Sequence, residues 1–171
     1  MNQKALANFW RDLTGQSERW VRTLVLAVVV GRLSLVAIGF LILMAVGAGA
    51  TDQYSGMIDA VTAEWVFAAL VFAPLVESLA IRIVVWVLGR RISRWPVRAT
   101  AAACAVLAVP FHGLGPLSLA VAPFFALMAM IQHHWMERGR GWAGFWLITT
   151  IHAAANGIAL LGAALLGLGA Q

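Results

Sequence analysis

Long apolar runs separated by short polar clusters make up most of the chain. The runs extend from Leu24 to Ala50, about Thr62 to Leu88, Val97 to His112, Leu117 to Met136 and Trp142 to Leu168. A helix needs roughly 20 apolar residues to cross the ~30 Å hydrocarbon core, so four runs are long enough and the third is short. Residues 1–22 are mostly polar, with an apolar stripe at Leu6, Phe9, Trp10 and Leu13. That spacing is the i, i+3, i+4, i+7 signature of an amphipathic helix. With Lys4, Arg11, Arg19 and Arg22 around the stripe, the helix is expected to lie on a membrane surface, the alternative being a frayed, solvated tail. The pattern predicts an all-α, polytopic transmembrane helical bundle of about five spans plus an N-terminal amphipathic helix. It divides into an N-terminal segment, 1–23, and a transmembrane domain, 24–171.

The first run ends in small residues and mimics a cleavable signal peptide. It is too long for one and Arg32 interrupts it, so a retained span is expected. Arg32 lies about 12 Å inside the helix start and is expected to snorkel to the interface.

Composition agrees: 62% of residues are hydrophobic and 11% charged, against about 25% charged in a soluble domain. The net charge of +5 invites a nucleic-acid partner. Placement argues against one and for a lipid bilayer, because the basic residues lie in clusters between apolar runs. Ten of the twelve (all but Arg32 and Arg82) fall on one side of a five-span topology, while the segment between the first two runs carries Asp52 and Asp59 without Lys or Arg. The expected location is the cell (inner) membrane, with a cytoplasmic N-terminus and an external C-terminus. Trp20, Trp86, Trp95, Trp135 and Trp142 gather at the same inner boundary as an aromatic belt. The single cysteine, Cys104, forms no internal disulfide and reads as a packing residue. His133 and His134, beside Trp135, read as interfacial side chains.

Ionisable side chains within the apolar runs are the unusual feature, since each must be paired, hydrated or useful. Glu77 precedes Arg90 by thirteen residues, His112 follows Arg98 by fourteen and His152 follows Arg140 by twelve. At 1.5 Å per residue all three lie about 18–20 Å from the inner boundary. Asn156 is one turn beyond His152, on the same helix face. Pro74 and Pro110 loosen the backbone beside Glu77 and His112, as suits helices lining a wet cavity. A carboxylate in apolar surroundings is a better base towards water, an imidazole can hold that water, and a His/Asn pair can donate to a developing oxyanion. Each residue alone has a plainer reading: Glu77 paired with Arg82, His112 capping a turn, His152 and Asn156 bridging helices.

Glu77-Ser78-Leu79-Ala80-Ile81-Arg82, His112 and His152-Ala-Ala-Ala-Asn156 resemble, in order and spacing, the three motifs of the CAAX-protease and bacteriocin-processing (CPBP) family of glutamate-type intramembrane peptidases. The first family motif is Glu-Glu-x-x-x-Arg, so Ser78 stands in place of the second Glu and Arg82 loses an acidic partner. The second is Phe-x-x-x-His, with Ala108 in the Phe position. The resemblance spans about Ala73 to Leu161. It implies that Glu77 activates water, His112 positions it, and His152 with Asn156 stabilises the tetrahedral intermediate, without metal or cofactor. Ser78 and Arg82 would be supporting residues, and the substrate a membrane-associated peptide (lipidated, leader or C-terminal tail). Two rivals stand beside this reading. One is a zinc-dependent membrane metalloprotease using Glu77, His112 and His152, although it lacks the His-Glu-x-x-His helix. The other is a non-catalytic scaffold or immunity protein on the same fold.

Overall fold

The structure, a computed structural model, describes residues 3–16, 19–47, 62–91, 96–113 and 115–165. Asp52, Asp59, Arg94, Trp95 and Leu114 lie outside the described residues, as do the expected span ends at Ala50 and Leu168. Among the described residues the regular structure is six helices: α1 (Gln3–Leu13), α2 (Trp20–Val46), α3 (Ala63–Gly89), α4 (Val97–His112), α5 (Pro116–Glu137) and α6 (Gly141–Leu165). No strand occurs among the described residues. α2, α3, α5 and α6 are long and apolar enough to cross a membrane, whereas α4 is shorter. The chain is an all-α helical membrane protein.

α5 is the centre of the bundle and packs against α2, α3, α4 and α6. Its Phe124, Phe125, Met128, Ile131 and Trp135 are buried, so this helix meets protein on nearly every side. α2 instead shows a continuous exposed stripe, Val21, Val25, Val29, Leu33, Val36 and Phe40, at helical spacing. In a bilayer such a face meets lipid, which is as apolar as the side chains themselves. Its opposite face is made of small residues one turn apart: Thr23 and Ala27 are buried, and so is Gly31. A side chain at Gly31 would collide with the Phe124 ring, so glycine here sets how closely α2 approaches α5. Small-residue stripes permit close backbone approach where no hydrophobic force between helices operates.

α1 docks against the start of α2 through a residue that the stripe pattern passes over. Asp12 is buried beside Leu13, and its carboxylate lies 2.9 Å from Arg22 Nε. Thr23 Oγ1 donates to the Asp12 carbonyl at 2.7 Å. Leu6 and Trp10 remain exposed, as a helix with one face in an interface requires.

Three expectations need correction. Trp135 is only 1% exposed, so it belongs to the core and not to an aromatic belt. Gly15 at the end of α1 covers its indole, the Trp20 ring meets it edge-on at 5.8 Å, and Arg140 lies 4.8 Å above it. Arg32 does not snorkel; its guanidinium turns into the bundle and donates to the Ala155 carbonyl of α6. It sits next to Gly31 on the face that packs inward, where a backbone oxygen is nearer than either interface. His133 is also more enclosed than an interfacial reading requires: it is buried, and its Nδ1 lies 3.6 Å from Glu137.

Candidate active site

Glu77 is aimed by an irregular stretch of α3. Ala68–Phe72 forms a π-helical turn, in which the Ala73 N–H donates to the Ala68 carbonyl five residues back. A π-turn holds one extra residue, which rotates the remainder of the helix by about 100° around its axis. The next carbonyl in that register, Ala69, would take its hydrogen from residue 74, and Pro74 has none. Asn156 of α6 supplies the missing donor, with Nδ2 at 2.8 Å from the Ala69 oxygen. Beyond the turn, Pro74, Ser78, Ile81 and Val85 face the core, and Glu77 lies on the flank, half-buried, between α4 and α6.

His112 is held at the end of α4. After Ala108 the helix tightens into a 3-10 turn, Val109–His112. Gly113, with φ of 117°, then leaves the helix in a conformation open to glycine. His112 Nδ1 lies 3.0 Å from the Ala108 carbonyl. A carbonyl only accepts, so Nδ1 carries the hydrogen; with Nδ1 so engaged, Nε2 is the ring nitrogen turned towards Glu77. That atom lies 3.8 Å from Glu77 Oε2. His152, buried on α6, brings its own Nε2 to 3.6 Å from the same oxygen. Both separations exceed a direct hydrogen bond.

The rings are wedged by aromatic neighbours. Phe125 meets His112 edge-on at 5.1 Å and His152 at 5.7 Å, and Phe124 meets His152 at 5.7 Å. Ala108 offers no ring where the resemblance leads one to expect phenylalanine; Phe125 packs there from another helix.

Three cavities converge on this cluster. One, of about 250 Å³, is lined by Glu77, His112, His152 and Asn156 together with Trp65 and Ala69. It has room and polar partners enough for water. A second, of about 60 Å³, is apolar and runs from Glu77 past Cys104 and Leu107 to Phe111. The third, of about 100 Å³, lies on the far side of the imidazoles and includes Arg32.

All four residues singled out from the sequence thus border one space, but Asn156 is partly committed: one of its two amide hydrogens goes to Ala69. The supporting pair is placed differently. Ser78 is fully buried and its Oγ has no hydrogen-bond partner among the described residues. Arg82 does not pair with Glu77; its guanidinium stacks 4.1 Å from the centre of the Trp142 ring and lies beside Gly141. A cation over an aromatic face is a favourable contact for an arginine without a carboxylate partner among the described residues. Among the described residues, no group of three His, Cys, Asp or Glu side chains has metal-binding geometry. Sequence reasoning did not assign Arg32, Phe125 or the Ala69 carbonyl to this region. For Arg32 the available signal was the small-residue face it shares with Thr23, Ala27 and Gly31. No protein-family model, no curated protein and no solved structure matches this chain.

Proposed function

We propose that this chain is an intramembrane endopeptidase of the CPBP type, hydrolysing a peptide bond in a membrane-associated peptide by glutamate-activated water. The observation that carries the proposal is the approach of one Glu77 oxygen to within 3.8 Å of His112 Nε2 and 3.6 Å of His152 Nε2, from three helices, beside a cavity of about 250 Å³ with room for water. An arrangement kept only for helix packing would be expected to make direct hydrogen bonds at these positions. In the proposed reaction Glu77 takes a proton from water while the His112 Nε2 lone pair accepts the other hydrogen and orients the oxygen. The hydroxide oxygen attacks the peptide carbonyl carbon. The free amide hydrogen of Asn156, with His152, stabilises the resulting oxyanion. Glu77 then returns its proton to the departing nitrogen, leaving a carboxylic acid and an amine. The distribution of basic residues supports a location in the cell membrane with a cytoplasmic N-terminus.

The test compares peptide termini in cells carrying the wild-type chain or Glu77→Gln, followed by cleavage of the identified substrate with purified protein. Loss of the base should slow cleavage by about 10²–10⁴-fold at unchanged membrane insertion. Full activity of a folded Glu77→Gln protein overturns the proposal, as does full biological complementation by that variant, which a scaffold would provide. A chelator and metal analysis run beside it, since activity that follows bound zinc favours the metalloprotease instead.

A further inference from the structure

Arg32 is a full positive charge at membrane depth. It lies twelve residues into α2, about 18 Å from the Trp20 end. No carboxylate pairs with it among the described residues. One Nη reaches the Ala155 carbonyl, whereas Nε is enclosed and has no acceptor among the described residues. A guanidinium has five donors and keeps its charge in proteins, so a single carbonyl leaves most of its capacity unused. Even a half-buried charge without an opposite charge is a costly arrangement to keep at membrane depth.

The Arg32 side chain opens onto the cavity of about 100 Å³ whose other walls include Val121, Phe124, His152 and Asn156, with no acidic residue among them. Glu77 borders the other two cavities and not this one. The space therefore offers the N–H donors of Arg32, the Asn156 amide and the two imidazoles of His112 and His152, with apolar side chains between them, in a volume suited to a small planar anion. A carboxylate matches the fork in shape and charge. Phospholipid phosphates are held at the interface, well short of this depth.

We infer that the Arg32 cavity binds a carboxylate carried to membrane depth on an apolar chain. A fatty acid and the C-terminus of an apolar peptide share this chemistry. Binding here needs no turnover; the cavity shares His112, His152 and Asn156 with the proposed peptidase site but not Glu77, so a binding readout in the Glu77→Gln background tests it apart from hydrolysis.

The experiment uses the full chain in phosphatidylcholine nanodiscs, with Glu77→Gln present throughout to remove any hydrolysis. Four probes are titrated and binding is read by thermal shift: dodecanoate, dodecanamide, an acetylated apolar tetrapeptide with a free C-terminus, and the same tetrapeptide as its C-terminal amide. At least one acid should bind at least about tenfold tighter than its own amide, and Arg32→Gln should abolish that preference. A preference confined to the fatty acid or to the peptide identifies the source, and either outcome supports the site. Equal binding of acid and amide, no binding by any probe, or a preference that survives Arg32→Gln overturns it. Should Arg32→Gln fail to fold, Arg32→Lys serves: it keeps the charge without the fork and should retain the acid preference at reduced affinity, whereas unchanged affinity overturns the guanidinium assignment.

Discussion

Replacing Asn156 by leucine removes the donor to the Ala69 carbonyl, which α3 cannot satisfy from residues 73 and 74. The Ala73 N–H is spent on Ala68 and residue 74 is proline, so the 2.8 Å bond from Asn156 is what compensates Ala69. A fully buried unpaired acceptor costs about 1–3 kcal/mol, but this bond is part-buried and borders the larger cavity, so the membrane scale applies: side-chain hydrogen bonds between membrane helices are worth about 0.6 kcal/mol on average and about 1.7 at most. With short geometry and no substitute donor from residues 73 and 74, the upper part of that range applies: a loss of about 1–1.7 kcal/mol for Asn156→Leu. The assay is reversible unfolding in mixed micelles, followed by tryptophan fluorescence. Pro74→Ala sharpens it, because alanine at 74 supplies an N–H in the existing π register. In a double-mutant cycle the cost of Asn156→Leu should fall by about 1 kcal/mol in the Pro74→Ala background. Cleavage lost in Asn156→Leu should also return in part with Pro74→Ala, if it is lost because Glu77 has been re-aimed; loss of an oxyanion donor alone would not be repaired this way. An Asn156→Leu protein within about 0.3 kcal/mol of wild type, or a cost indifferent to residue 74, refutes the reasoning.

Gly31→Ala should destabilise the bundle by about 1–3 kcal/mol, since its methyl group would overlap the Phe124 ring and force α2 away from α5; the same unfolding titration measures it, and a neutral result would contradict the close approach. Trp142→Leu should cost about 0.5–2 kcal/mol beyond its change in apolar contact, because Arg82 loses the ring face it lies against. Combining Trp142→Leu with Arg82→Met should recover part of that loss, and simple additivity would show that the stacking contributes nothing.

The spans were legible because lipid demands long apolar runs with every backbone group satisfied internally. The second run, read as about Thr62 to Leu88, is the helix Ala63–Gly89. The meeting of Glu77 with the two histidines was also within reach, since polar groups stand out against such runs and rise per residue converts position into depth. What the sequence withheld is pairing across helices. Pro74 announces a weak point in α3, but nothing local says which carbonyl is left over or that α6 answers it with Asn156. Arg32 had two outlets, the interface and the bundle, and the choice depends on which face of α2 packs inward. Asp12 looked like one more polar residue of a surface helix; its burial arises only once α1 folds back onto Arg22 and Thr23.

α4 runs for about 26 Å before Gly113 ends it, a little less than the ~30 Å hydrocarbon thickness. Phe111, on the last turn, is 85% exposed and borders the apolar cavity that leads to Glu77. That rim faces acyl chains, so molecules arriving there diffuse sideways in two dimensions. Their effective concentration is a mole fraction in the surrounding lipid. Adding inert phospholipid at fixed protein and fixed total substrate would thin the supply and slow any encounter through this opening, while enlarging the aqueous volume would leave it unchanged.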